Sequence, residues 1–186
     1  MHRFLTVLAL ASLPATGGFA ADHRGFVELC QDDDLEWEQR ITIMRIMNDL
    51  MAPDCEIAAG IIHNSRRLAL PAGGQKVSRL ESVVAFGELT TLLIPFNKIG
   101  DVEPLKRLRH LEILGLRGNR VSDVSPLLSL PHLKALDVAF NPVMDLKILD
   151  RFPSLAYVVV DQAQAVRLLA TGHRFRIRIT SPRAPD

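Results

Sequence analysis

Few side chains in this sequence stand where they could act on a substrate. His110 and His132 are 22 residues apart and would sit near each other in a periodic fold. A zinc centre needs three or four ligands, however, and no third accompanies them. Gly73-Gly74-Gln75-Lys76 lacks the Gly-Lys-Ser/Thr order of a phosphate-binding loop and reads better as a turn. Asp32-Asp33-Asp34 lacks the alternate ligand spacing, central Gly and twelfth-place Glu of a calcium-binding EF-hand loop. No His-Glu-x-x-His or Gly-x-Ser-x-Gly occurs. The expectation is therefore no catalytic residue, no metal and no cofactor, which leaves binding as the chemistry to explain.

The remaining reactive pair is Cys30 and Cys55. Its reading depends on compartment. Met1-His2-Arg3, the apolar run Phe4 to Leu13, and then Pro14 and small residues have the layout of a secretory signal peptide, with Gly18 and Ala20 suiting cleavage before Ala21. The apolar run is half the roughly 20 residues a spanning helix needs, so no transmembrane span is expected after signal removal. An uncleaved anchor is the competing reading. In an oxidising compartment the two cysteines can close a disulfide, which contributes roughly 3 kcal/mol in the chain-entropy model. A reactive thiol is the alternative, without a base motif beside either Cys to support it. The expected location is periplasmic or secreted.

The 186 residues, 48% hydrophobic and 23% charged, are enough for one domain with a buried core. With 22 Lys plus Arg against 21 Asp plus Glu, the net charge of +1 gives no case for a nucleic-acid partner. After Asp32-Asp33-Asp34, the spacing of Trp37, Ile41, Met44, Met47 or Asn48, and Met51 predicts a helix from near Leu35, stopped by Pro53. Asp54 is expected to cap a second helix, ending near Asn64, with Ile57, Ile61 and Ile62 inward.

From Leu89 onward the chain repeats itself. Leu89, Leu111, Leu133 and Leu155 are each 22 apart, and the same step links Leu92, Leu114, Leu136 and Val158, and again Ile94, Leu116, Val138 and Val160. Asn97, Asn119 and Asn141 keep it, as do Asp101, Asp123 and Asp145. Strand alternation sends the leucines of each Leu-x-Leu to one side, so one unit cannot bury them alone but a stack can. The Asn side chain, able to donate and accept, is expected to turn inward and pair backbone groups, a structural role. Pro104 and Pro126 are placed to start short helical turns; Ile148 breaks that column. Stepping back by 22 gives Leu70, Ala72, Gln75, Val77, Leu80, Val83 and Phe86 as a degenerate first unit. Stepping forward gives Ala163, Ala165 and Leu168 as an atypical last one.

The unit Leu-x-x-Leu-x-Leu-x-x-Asn-x-Ile-x-Asp-Val-x-Pro-Leu is the leucine-rich repeat signature. It resembles the 22-residue class of internalins and phosphatase regulatory subunits, and the helices with paired Cys resemble the N-terminal cap of secreted bacterial members. The resemblance implies an α/β solenoid: about five coils with a parallel concave β-sheet, a helical N-terminal cap and a β-strand C-terminal cap. The divisions expected are a signal peptide (1–20), helical cap (21–66), repeats (67–168), and cap strand with tail (169–186). It also implies a macromolecular partner, taken here as an unidentified protein gripped by a monomer on the inner curve.

Register extends the outward columns as Ala69, Thr91, Ile113, Ala135 and Tyr157; Pro71, Leu93, Gly115, Asp137 and Val159; and Gly73, Pro95, Arg117, Ala139 and Asp161. The candidate partner-binding residues are Thr91, Leu93, Pro95, Ile113, Arg117, Ala135, Asp137, Tyr157, Val159 and Asp161, with Arg117 and Tyr157 as anchors. A strip so rich in apolar side chains marks an interaction site, against two competing readings: that the chain's own terminal segment covers it, or that it is merely bland surface. Phe96 and Phe140 are expected to pack at the strand exits. The alternating run His173 to Ile179 predicts the terminal strand, with Phe175, Ile177 and Ile179 on one face and Arg174, Arg176 and Arg178 on the other. An alternative function uses that arginine edge: an envelope-associated structural protein contacting anionic surfaces.

Overall fold

The computed structural model describes residues 24–169 and 172–181. The expected signal segment, residues 1–20, lies outside the described residues, as does the tail at 182–186. Three helices come first: α1 (Arg24–Gln31), α2 (Trp37–Asp49) and α3 (Cys55–Ser65). Strands β1 (Arg67–Ala69), β2 (Thr91–Leu93), β3 (Ile113–Gly115), β4 (Ala135–Asp137), β5 (Tyr157–Asp161) and β6 (Arg176–Thr180) then form one parallel sheet in chain order. Helix α4 (Gln162–Leu168) lies between β5 and β6. Among the described residues, no helix is long and apolar enough to cross a membrane.

The 22-residue step becomes the sheet register: Thr91, Ile113, Ala135 and Tyr157 pair in sequence, as do Leu92, Leu114, Leu136 and Val158. The periodic leucines and valines are buried in one continuous core. The return segments form 3-10 turns at Glu103–Arg107, Ser125–Ser129 and Lys147–Arg151. Asp101, Asp123 and Asp145 each accept the backbone N–H two residues on, at 2.8, 2.8 and 2.9 Å, which starts each turn. The third turn forms without a proline, since Ile148 is buried in its place.

At each strand exit the chain needs a left-handed residue to bend inward, and Phe96, Gly118 and Phe140 fill this column at φ 55°, 66° and 58°. Behind the bend stands the asparagine. Asn119 Oδ1 accepts the N–H of Ile99 at 3.0 Å, and its Nδ2 donates to the carbonyls of Ile94 and Leu116, both at 2.8 Å. Asn97 bonds Val77 and Leu70, and Asn141 bonds Val121 and Leu116, in the same way. Each asparagine thus satisfies groups of the preceding coil. All three side chains are buried and bonded to backbone groups.

Neither end of this ladder is an asparagine. At the C-terminal end Gln164, one place after the expected Ala163, donates Nε2 to Val138 and Asn141 carbonyls at 3.1 and 3.0 Å. The shift arises because α4 replaces the return segment. At the N-terminal end the guanidinium of Arg45, on α2, donates to the carbonyls of Pro71, Gly73 and Gln75 and pairs with Asp49.

Three expectations are corrected at this end of the molecule. Arg67 pairs with Thr91 and Ala69 with Leu93, a step of 24, so the strand of the first coil is Leu68 and Leu70, not Leu70 and Ala72. The two additional residues lie in the Pro71–Lys76 turn, where Gly73 and Gly74 take positive φ; Val77, Leu80, Val83 and Phe86 keep the expected step and are buried. The buried residues of α2 are Thr42, Ile43, Arg45 and Ile46, whereas Trp37, Met44 and Met51 are exposed. The helix turns Thr42 and Arg45 to the first coil because its carbonyls need donors; Thr42 Oγ1 donates to Arg79. In α3, capped by Asp54 as expected, Ile62 faces inward with Ala58 and Ala59, but Ile57 and Ile61 do not. Cys30 and Cys55 form a disulfide with Cα atoms 6.1 Å apart, tying α1 to α3.

Replacing Asn119 with Ala orphans the Ile99 N–H and the buried Ile94 carbonyl, while the Leu116 carbonyl keeps its bond from Asn141. The expected loss is about 3 kcal/mol of unfolding free energy, measured by urea titration. Asp101→Ala, on the exposed side of the same stack, should cost about 1 kcal/mol or less.

Candidate functional site

The outward positions of the sheet form two open columns and one that is largely closed. The first runs Arg67, Thr91, Ile113, Ala135, Tyr157, Arg176, and the second Ala69, Leu93, Gly115, Asp137, Val159, Arg178. In the first, Ile113 is 43% exposed while Thr91 is only 8% exposed. Thr91 therefore offers a partner little surface. Leu93, Ala135, Asp137, Tyr157 and Val159 are half-buried.

Between the columns lies an apolar hollow of about 180 Å³ walled by Leu93, Ile113, Ala135, Asp137, Tyr157 and Val159. Its floor is Gly115. A Cβ added there would come within 2.9 Å of Leu93 Cδ2, because the Leu93 side chain leans into the space the glycine leaves. The flanking coils carry Leu93, Asp137 and Val159 at the same register. The hollow thus follows from one missing side chain in an otherwise filled column.

Asp137 is the carboxylate of this hollow. Its Oδ1 accepts the Ala139 N–H at 3.0 Å. Burial pushes its carboxyl above the ordinary aspartate value; the Ala139 hydrogen bond and the fields of Arg117 and Arg178 oppose this but do not cancel it.

The third column is closed from inside. Arg117 lies against the Phe96 and Phe140 rings, 5.8 and 5.1 Å from their centroids. Its Nη2 donates to the Ser181 carbonyl at 2.8 Å. Reaching from the β3 exit to the residue after β6, it passes the exits of β4 and β5, where Ala139 is fully buried. Phe96 and Phe140 pack at the strand exits as expected. Asp161 is occupied: Oδ2 accepts the Phe140 N–H at 2.8 Å, and Oδ1 caps α4 through Gln164 N–H at 3.0 Å. Both oxygens thus stabilise the fold. Pro95 is half-buried in the same column.

The terminal strand brings an unexpected charge to the face. Phe175 is buried and Ile177 half-buried, as the alternation requires, while Ile179 is 45% exposed on the sheet edge. Arg176 pairs with Tyr157 and Arg178 with Val159, so these arginines extend the concave columns and do not form a separate edge. Arg174 donates to the Asp150 carbonyl. No 22-residue step reaches β6, which hid this register. Arg67 was hidden by the two-residue insertion. His110 and His132 are exposed; His110 Nε2 lies 3.6 Å from Glu88 Oε1. No group of three metal-capable side chains occurs among the described residues.

A family model described as leucine-rich repeats (2 copies) matches residues 109–151. Among solved structures, an internalin (InlF) from Listeria monocytogenes superposes with a TM-score of 0.52 at 22% identity, covering 62% of this chain and 34% of its own. Internalin C2 from the same organism gives a TM-score of 0.44 at 29% identity over 46% of this chain and 38% of its own. The chain thus spans about a third of the length of these relatives. Among curated proteins, none matches.

The raised Asp137 carboxyl makes a signed prediction. Below the ordinary aspartate value the group is protonated folded and unfolded, and costs nothing. As pH rises through the raised value, the fold loses stability because the buried group must ionise. Asp137→Asn, which keeps an oxygen for the Ala139 N–H, should raise the melting temperature at pH 7. The gain should disappear toward pH 3 in a calorimetric series.

Proposed function

We propose that this leucine-rich repeat solenoid of internalin-like fold is an exported protein-interaction module that holds its partner on the concave face of the sheet. The observation that carries this is the Gly115 hollow: a half-open apolar depression at the centre of the face, rimmed by Ile113 and Tyr157. Exposed apolar surface of this kind is costly to leave in water and is retained where a partner covers it. A central pocket surrounded by polar groups is also where binding energy concentrates in protein interfaces.

Export is supported by the signal-like N-terminus and by the Cys30–Cys55 disulfide, which suits an oxidising compartment, periplasmic or extracellular. The reading is of a binder and not an enzyme. It also absorbs the arginine edge, because Arg176 and Arg178 belong to the same face. A partner seated on the hollow would meet them, so contact with an anionic surface would compete with it.

Photo-crosslinking amino acids placed singly at Ile113, Tyr157 and, in the exposed turn before β4, His132 test the reading in the native host. Crosslinked species should form from Ile113 and Tyr157 and not from His132. Equal crosslinking from all three positions, or crosslinking from His132 alone, would contradict a concave site.

A further inference from the structure

The charge around the hollow is one-sided. The two open columns begin at Arg67 and end at Arg176 and Arg178, and Arg117 borders them at the strand exits. Against four guanidinium groups stand two carboxylates. Asp161 has both oxygens engaged by backbone N–H groups, and Asp137 lies in the field of two of the arginines. Arg176 and Arg178 are exposed, as is Arg67. The chain as a whole carries a net charge of only +1, so this excess belongs to the face and is not spread over the surface.

Resting on the concave-face reading above, we infer that the partner presents an acidic segment: one aliphatic or aromatic side chain that fills the Gly115 hollow, flanked by Asp or Glu that meet Arg67 on one side and Arg176 and Arg178 on the other. Three features select this chemistry. The hollow is bounded by Leu93, Ile113, Ala135, Tyr157 and Val159 and accepts an apolar group of one side chain's size. Guanidinium groups bind carboxylates with paired N–H donors, which lysines would not do. A basic segment would instead place its charges against three exposed arginines. Its only attraction would be Asp137, already held by the Ala139 N–H.

Six strands roughly 4.8 Å apart give the face a length on the order of 25 Å. An extended segment of about seven or eight residues spans that distance. The arginines at the two ends are therefore reachable by carboxylates on either side of one central apolar residue.

Gly115→Val isolates the hollow. The same register position is Val159 two coils away, and the atom displaced is the tip of the flexible Leu93 side chain, so the coil can accept it. Ala135→Phe fills the hollow from its other wall and repeats the test should the first variant misfold. The probe is a phage-displayed library of random 12-residue peptides, selected on the purified protein. Recovered sequences are then synthesised with a fluorescein label and titrated by anisotropy. Recovered peptides should carry an apolar residue between acidic ones. They should bind Gly115→Val at least about tenfold more weakly and weaken about fivefold or more between 50 and 500 mM NaCl. The Arg176→Gln, Arg178→Gln double variant should remove most of that salt dependence.

Recovered peptides that are basic or uncharged yet lost on Gly115→Val would overturn the acidic partner and leave the concave site standing. Peptides that bind Gly115→Val as well as wild type, or no recovered sequence at all, would overturn both. Two further outcomes also overturn the acidic partner: concentration-dependent dimerisation abolished by Gly115→Val, which makes a second copy the occupant, and affinity gained tenfold on deleting residues 182–186, which makes the tail the occupant.

Discussion

The whole stack depends on how buried carbonyls and N–H groups are satisfied where the chain leaves each strand. The inward bend takes backbone polar groups out of water, and an unpaired buried amide costs as much as several favourable contacts return. Asn97, Asn119 and Asn141 solve this with one side chain per coil, accepting from one backbone group and donating to others in the coil before. The leucines supply cohesion without direction. The amides supply the geometry, and with it the spacing that stacks one strand directly on the next.

The ends of the ladder show that the requirement is for donors and not for asparagine itself. Arg45 enters from a helix of the cap and serves three carbonyls, while Gln164 enters from the first turn of α4 and serves two. Both are buried, at 6% and 4% exposure. The caps are thus joined to the repeats by the same chemistry that joins the repeats to one another. Once the strands stack in register, their outward positions align as columns, and a single glycine in a column becomes a hollow. The candidate site is a by-product of a regular scaffold interrupted at Gly115.

The repeat, the parallel sheet, the inward asparagines and the Asp-initiated turns were all legible, because each obeys a fixed 22-residue step that several columns share. What lacked that step was not legible. The two residues inserted between Pro71 and Lys76 displaced the first strand, and only the Gly73-Gly74 pair hinted at them. Apolar spacing in α2 favours Trp37 and Met44 as the inward face, whereas the first coil requires Thr42 and Arg45 there. At the site, Ile113, Tyr157, Leu93 and Val159 lay where register put them. The internal duties of Asp161 and Arg117 were invisible, since they depend on α4 and on the segment after β6. The arginines of β6 joined the face through a pairing that no periodicity encodes.

The amide hydrogens of Val77, Ile99 and Val121 test the central claim most directly, because each is held only by the asparagine of the next coil. Residue-resolved hydrogen exchange should find all three among the slowest amides, exchanging only when the whole molecule unfolds. Exchange of these three at the rate of exposed turns, while the strand amides stay protected, would contradict an interior ladder as the element that holds the coils together.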